Sequence, residues 1–278
     1  MNRSPESGPR RAAGLLLTLF LLFGLPEAGP AFDRDDFGSL LRMMPPNGPP
    51  EHYGNVIMRD RAVAKGMAPV VFSHWSHRTR YTCKVCHVEL GFGMPRGTSG
   101  ISRGGNLAGR HCGACHNGTI AFSVRYEQPK HCDRCHQADT KGQDDAFKKL
   151  AARLPRTSSG NRIDWVEALN RGLINPKTAL LDTEPAMGLP AALEKPLHLG
   201  TSEPRSAAIF AHRTHVDRLD CANCHPDIFN IQQKGTVAFS MDKNMYGWFC
   251  GTCHLRVAFP MTDCHRCHPG MKSGNRGF

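Results

Sequence analysis

Twelve cysteines constrain this 278-residue chain more than any other feature, because all twelve fall in one five-residue pattern, C-x-x-C-H. The pattern begins at Cys83 (CKVCH), Cys112 (CGACH), Cys132 (CDRCH), Cys221 (CANCH), Cys250 (CGTCH) and Cys264 (CHRCH). It is the attachment signature of c-type haem: two thiols form thioethers with the porphyrin vinyls, and the next residue turns its imidazole onto the iron. Zinc sites also use C-x-x-C pairs, but zinc needs no histidine after each pair. A disulfide framework makes no demand on that position at all. Histidine is 15 of 278 residues, so six such placements by chance are on the order of one in 10⁸. The expected cofactors are six haem c groups. Their attachment residues are Cys83, Cys86, Cys112, Cys115, Cys132, Cys135, Cys221, Cys224, Cys250, Cys253, Cys264 and Cys267. The proximal iron ligands are then His87, His116, His136, His225, His254 and His268.

The N-terminus agrees with that chemistry. Residues 1–31 read as a secretory signal: Arg3, Arg10 and Arg11, then an apolar run over 12–25, then Gly29 and Ala31 at the cleavage point. The run is too short for a membrane span, which needs about 20 residues. Export is therefore expected, to the periplasm or to an extracellular or outer-membrane-associated position, and c-type haems are attached outside the cytoplasm.

The formal charge is +11, of which residues 1–31 contribute three basic and two acidic groups, leaving about +10. A basic chain can signal nucleic acid. Here six haems would bring about twelve propionates, so the basic residues read as their counter-charges and no nucleic-acid partner is expected. Beyond the signal, about 247 residues serve six haems, and the whole chain has 8% aromatics, 28 Gly and 20 Pro. Such a chain is expected to lack an ordinary apolar core and to depend on porphyrin for buried apolar surface.

An internal repeat organises the chain. "FSHWSHRTRYTCKVCH" (72–87) answers "FAHRTHVDRLDCANCH" (210–225), and the shared histidines and cysteines of the first two motifs are each separated by 138 residues. The expected plan is a signal (1–31), an N-terminal wrap (32–69), a triheme lobe (70–137), a haem-free linker (138–208) and a second triheme lobe (209–278). In the linker "DDAFKKLAARL" and "IDWVEALNRGL" have helical periodicity. Asn161 or Arg162 would open the second helix, and Gly172 and Pro176 would close it. The fold class expected is mainly irregular with short α-helices, two tandem lobes organised around covalent haems, and few or no strands.

F-x-H-x-x-H precedes the first motif of each half, supplying His74 and His77, then His212 and His215. Residues i and i+3 share a face of a helical turn but diverge by about 60°, so two imidazoles could reach two neighbouring irons. F-S-H-x-x-H followed by three C-x-x-C-H motifs resembles the triheme cytochromes c7 of the cytochrome c3 superfamily, over 72–136 and 210–268. The resemblance implies bis-histidinyl low-spin haems and electron transfer at low potential. It implies that His74 serves the haem on Cys83/Cys86 and His77 that on Cys112/Cys115. It likewise gives His212 to the haem on Cys221/Cys224 and His215 to that on Cys250/Cys253.

The third haem of each half departs from the family pattern. The second half offers Met241 and Met245. The first offers Met94 and His111, with His131, His198 and His52 behind them. An open iron is the alternative, and His265 reads as a surface residue. The functional expectation is a hexahaem electron carrier or relay in a respiratory or extracellular chain, not an enzyme and with no small-molecule substrate. Its partners would be redox proteins, including an outer-membrane conduit or other multihaem cytochromes. The competing reading is a multihaem reductase of the nitrite or hydroxylamine type, which needs a five-coordinate iron beside proton donors.

Overall fold

The computed structural model describes residues 48–95, 97–125, 129–181, 188–200, 207–229 and 240–271. The expected signal and residues 32–47 of the expected N-terminal wrap lie outside them. The chain is mostly irregular, punctuated by short helices. These are α1 (Asp60–Val63), α2 (His74–Arg78), α3 (Arg103–Leu107), α4 (Cys112–Cys115), α5 (Lys141–Ala151), α6 (Trp165–Asn170), α7 (His212–Val216), α8 (Met241–Met245), α9 (Gly251–His254) and α10 (Cys264–Cys267).

Each half begins with a two-stranded antiparallel ribbon. Strand β1 (Asn55–Met58) pairs with β2 (Val70–Ser73), Asn55 opposite Ser73 and Met58 opposite Val70. Strand β3 (Leu197–Leu199) pairs with β4 (Ala208–Phe210), Leu197 opposite Phe210. Strand β3 was not legible as a strand in the sequence, where three residues between turn signals give no alternation to count. The second strand of each ribbon leads into the histidine-bearing turn, α2 in the first half and α7 in the second.

The middle motif of each half is held by a contact that only glycine permits. A Cβ on Gly113 would stand 1.8 Å from the Asn106 carbonyl oxygen, and one on Gly251 would stand 1.9 Å from the Asn244 carbonyl oxygen. Helix α4 thus rests directly on the backbone of α3, as α9 rests on α8. His111 (φ 50°) and Phe249 (φ 47°) stand immediately before the two motifs with positive φ. A side chain tolerates that conformation poorly, and its recurrence in both halves marks the turn that aims each motif.

The expectation that the chain lacks an apolar core of its own is corrected by the structure. Trp75, Phe147, Ala151, Leu154, Ile163 and Ala168 are buried together, with Leu150, Trp165 and Ile174 against them. Phe147, Leu150, Ala151 and Leu154 recur at the i, i+3, i+4, i+7 spacing of one helical face. Trp75 meets Phe147 edge-on at 5.4 Å between ring centres. The linker is therefore an apolar cap on α2, contacting it through Trp75, the residue that follows His74. The cap was hidden in the sequence because its parts lie on three separated segments.

Helix α6 starts differently from the sequence expectation. Its N-cap is Asp164, whose carboxylate accepts from the Glu167 N–H at 3.0 Å. Asn161 instead accepts from the Ile163 N–H and from the Trp165 indole at 3.0 Å, while Arg162 turns the chain with φ 65°. Gly172, also at φ 65°, ends the helix as a glycine C-cap does.

The halves touch along a seam. The Lys84 N–H donates to the Arg218 carbonyl at 3.3 Å. The Tyr53 hydroxyl donates to the Ala258 carbonyl at 2.5 Å and Arg78 Nη1 to the Val257 carbonyl at 3.0 Å. The linker adds an Asp164–Arg266 ion pair at 3.8 Å. Among the described residues no helix is long and apolar enough to cross a membrane.

Candidate functional site

The site is built twice, from the same parts. Phe72, at the end of β2, touches both histidines of α2: His74 edge-on at 4.9 Å and 88°, His77 tilted at 4.4 Å and 32°. Phe210 repeats this with His212 at 4.8 Å and 85° and with His215 at 4.6 Å and 32°. One aromatic ring thus sets the angle between two imidazoles. The sequence reading assigned these phenylalanines no role; their recurrence two residues before the first histidine was the available signal.

Backbone carbonyls then fix the rings. His87 Nδ1 donates to Phe92 O at 2.9 Å, His116 to Phe122 O at 3.1 Å, His254 to Phe259 O at 3.2 Å, and His225 to Phe229 O. His136 donates to Ala68 O at 2.7 Å. On the facing side His74 donates to Gly54 O at 2.6 Å, His77 to Ser73 O at 3.0 Å and His215 to Ala211 O at 2.9 Å. A carbonyl only accepts, so Nδ1 carries the proton and Nε2 keeps its lone pair. This is how metal-ligating imidazoles are oriented. Burial pushes His74 and His254 down to about 4 and lowers His77, His87 and His116. They are thereby held in the neutral form a metal requires. A phenylalanine four to six residues after the motif histidine is the sequence mark of these acceptors in four of the six motifs.

The rings face one another in pairs. His74 and His87 are parallel within 5° at 6.5 Å between centres. His77 and His116 stand at 6.3 Å, and so do His215 and His254. Two metal–imidazole bonds of about 2.0 Å, plus about 1.1 Å from each nitrogen to its ring centre, give about 6.2 Å. The three spacings therefore fit one six-coordinate iron between each pair. Burial lowers the His212 pKa, and the charges of His225 and His215 add to it. His212 Nδ1 is buried without a hydrogen-bond partner, so this ring lacks the carbonyl that fixes His74.

The thiols fit the same group. None of the twelve is bridged in a disulfide. Among the described residues no three His, Cys, Asp or Glu side chains gather as an ion-binding cluster. Burial, with neighbouring thiols adding, pushes Cys86 and Cys253 up to about 12 and Cys112 and Cys250 up to about 11. The neighbours trace a series. Cys135 acts on Cys112, Cys115 and Cys112 act on Cys86, Cys83 acts on Cys253, and Cys267 and Cys224 act on Cys250. The seam brings the first motif of one half, through Val85–Glu89, against the first motif of the other, through Cys221–Asn223, and Cys83 also acts on Cys253 of the middle motif. A cavity of about 370 Å³ lies beside His116 and Gly113.

The third motifs are built differently. Among the described residues no ring stands opposite His136 at the spacing of the three pairs. His111 lies edge-on to Phe92 at 5.2 Å. Its counterpart Phe249 lies against Phe229 at 5.6 Å, so the position is one of aromatic packing. His131 rests against Phe122 at 5.2 Å. His52 spends Nε2 on Thr140 at 3.0 Å and Asp144 at 3.2 Å. His198 and His265 are exposed. Met94 and Met241 are half-buried and Met245 is buried.

A sequence profile of the family described as cytochrome c7 and related cytochrome c matches residues 70–137 and 208–269. Among solved structures, a c7-type three-heme cytochrome domain is 34% identical, over 34% of this chain and 98% of that one, with a TM-score of 0.26. The C-terminal hexaheme fragment of GSU1996 is 26% identical over 81% of this chain and 99% of its own, and the TM-score is 0.25. The N-terminal hexaheme fragment of GSU1996 is 25% identical over 78% and 99%, also at 0.25. No curated protein matches the chain.

Proposed function

The chain belongs to the cytochrome c7 family of haem c electron-transfer proteins, and on that premise we propose that it is an exported hexahaem carrier with mostly bis-histidinyl irons. Each C-x-x-C-H motif holds one haem. His74 with His87, His77 with His116, His212 with His225 and His215 with His254 are the axial pairs. The observation that carries this reading is the spacing of three imidazole pairs at 6.3–6.5 Å. For the haem of Cys264/Cys267 the sixth ligand is Met241 or Met245. For that of Cys132/Cys135 Met94 is preferred to His111, whose ring packs as Phe249 does.

Bound haem supplies one-electron exchange between ferric and ferrous iron. The chain's part is to hold it in a state that accepts and releases an electron without rearrangement. The carbonyls of Gly54, Phe92, Phe122 and Phe259 keep each Nε2 aimed and unprotonated. Two imidazoles on one iron leave no position for a substrate, which favours a carrier over a reductase. The contact between the first motifs of the two halves supports relay through both. The partners are redox proteins outside the cytoplasm, such as an outer-membrane conduit or another multihaem cytochrome.

Low-temperature EPR of the oxidised protein, with intact mass, tests the reading. The expected mass gain is six haems of about 616 Da each, one per motif, with at least four irons low-spin. Five haems or fewer, or a high-spin majority, would overturn it. Near-infrared magnetic circular dichroism of Met241→Leu and Met245→Leu variants identifies the thioether ligand, since His/Met and His/His haems give distinct bands.

A further inference from the structure

Arginine fills the second variable position of C-x-x-C-H in the third motif of each half, at Arg134 and Arg266, and in no other motif. The first motifs have Val85 and Asn223 there, the middle motifs Ala114 and Thr252. Both arginines lie over a phenylalanine ring. The Arg134 guanidinium carbon stands 4.8 Å from the centre of the Phe122 ring, and that of Arg266 stands 5.3 Å from the centre of the Phe259 ring. These are the residues whose carbonyls accept from the middle motif's histidines, His116 at 3.1 Å and His254 at 3.2 Å. The same rings also stand against the same imidazoles, at 4.3 Å and 61° in the first half and 4.4 Å and 58° in the second. Imidazole, phenylalanine and guanidinium therefore form a stack from the middle motif to the third, built twice. A cation within about 6 Å of a ring centre is attracted by the ring quadrupole, and a planar guanidinium stacks where an ammonium does not. The two carbonyl contacts are the longest of the Nδ1 contacts described above, so their acceptors have most to gain from a second restraint. In the second half the arginine is itself anchored, to Asp263 at 2.9 Å and Asp164 at 3.8 Å. A related contact stands one motif earlier. Phe92, the acceptor for His87, meets His111 at 5.2 Å, and Phe229, the acceptor for His225, meets Phe249 at 5.6 Å. His111 and Phe249 immediately precede the middle motifs, so each acceptor ring rests on the motif that follows it.

We infer that Arg134 and Arg266 are positioning residues for the middle haem of their half: each reaches from the third motif to hold the phenylalanine that orients the middle haem's proximal imidazole, and so sets that haem's reduction equilibrium. The inference rests on the reading of the C-x-x-C-H motifs as haem attachments. A carbonyl that accepts from Nδ1 makes the imidazole a stronger donor to the metal, and hydrogen bonding around an axial ligand is one of the levers on its potential. A stronger donor favours ferric iron. Reduction adds one electron, with no bond made or broken. Releasing the phenylalanine weakens the donor and makes the middle haem easier to reduce. Removing a cation acts the other way, because positive charge favours the form that has gained the electron. Positioning and charge therefore predict opposite signs.

A redox titration of the holoprotein followed by NMR, which resolves individual haems, tests this. Arg134→Lys keeps the charge and gives up the planar stack. The haem on Cys112/Cys115 should become about two- to fivefold easier to reduce, the scale of an exposed cation–ring contact, or about 20–40 mV for a one-electron couple. Phe122→Leu keeps the charge and the carbonyl and should move the same haem in the same direction. The double variant should shift no further than the larger single one, because the two substitutions remove one contact. Arg266→Lys should move the haem on Cys250/Cys253 and leave that on Cys112/Cys115 in place. If Arg134→Lys matures poorly, Arg266→Lys with Phe259→Leu gives the same comparison in the second half. An unmoved middle haem in the arginine variants, one that becomes harder to reduce, additive shifts in the double variant, or a shift confined to the haem of the third motif would each overturn the inference. Intact mass separates the two levels of failure. Any of these results with six haems present defeats the inference alone, whereas fewer than six haems in the parent protein defeats the attachment reading and the inference with it.

Discussion

Replacing Gly113 with alanine places a methyl group where the structure has a carbonyl oxygen. The added Cβ would sit 1.8 Å from Asn106 O, 2.6 Å from its carbonyl carbon and 2.9 Å from its Cα. All three are backbone atoms, so no rotamer relieves the contact. Helices α3 and α4 must separate by about 1.2 Å to reach the shortest tolerated approach, and overpacking against backbone costs about 3 kcal/mol, at the upper end of such substitutions. For a chain of this size that corresponds to a fall in Tm of roughly 6–12 °C. The same movement reaches the site. His116 follows α4 directly, and its ring stands 6.3 Å from that of His77. A displacement of about 1.2 Å is more than half of a metal–imidazole bond of about 2.0 Å, so one axial bond should open. Gly113→Ala should therefore show a high-spin fraction at one haem and CO binding by its ferrous form. Gly142→Ala is the control, because Gly142 lies in α5 with nothing within 4 Å of its Cβ position. It should be neutral or stabilising by about 0.5–1 kcal/mol. If Gly113→Ala melts within a degree of the parent and binds no CO, the packing argument is wrong.

Phe72→Ala removes the spacer shared by His74 and His77 and should cost about 3 kcal/mol, the lower end for a half-buried phenylalanine. Its EPR spectrum should show two perturbed low-spin signals where His74→Ala perturbs one; a single altered signal would mean the ring does not serve both imidazoles. His212 lacks the Nδ1 acceptor that His74 finds in Gly54, and such orienting bonds are worth about 10-fold or more in ligation. In a CO titration of the ferrous protein the haem of Cys221/Cys224, identified by its loss in His212→Ala, should bind before that of Cys83/Cys86; equal affinities would remove the distinction between the halves. Trp75→Ala should cost about 3–5 kcal/mol in a denaturant titration, as the linker loses its anchor on α2. Trp75→Phe should stay within about 1.5 kcal/mol, since the buried Trp75 Nε1 has no hydrogen-bond partner to lose. Similar losses from both would locate the cost in something other than apolar burial.

The parts of this protein that the sequence alone determined are those set by covalent neighbours. Two thiols and an imidazole within five residues define an attachment whatever surrounds them, and F-x-H-x-x-H keeps its meaning on any single helical turn. The fold class followed from the same local facts, because a chain punctuated by six such motifs, 28 Gly and 20 Pro has little length left for regular structure. Helix α5 was legible because its apolar face recurs within eleven residues. What the sequence did not show depends on residues that meet only when the chain has folded. The carbonyl that orients His74 belongs to Gly54 and the one that orients His136 to Ala68; a backbone acceptor carries no residue type to recognise. Asn161 lost the helix cap to Asp164 because the Trp165 indole claims its side-chain oxygen. The need for glycine at 113 and 251 comes from a neighbouring backbone, not from the motif, whose second position is otherwise free. The seam joins Arg78 to Val257 and Lys84 to Arg218 across more than a hundred residues. No local pattern encodes which motif of one half faces which of the other. That choice was made by the tertiary structure, through the linker core that seats α5 and α6 on Trp75 and the backbone hydrogen bonds that close around it.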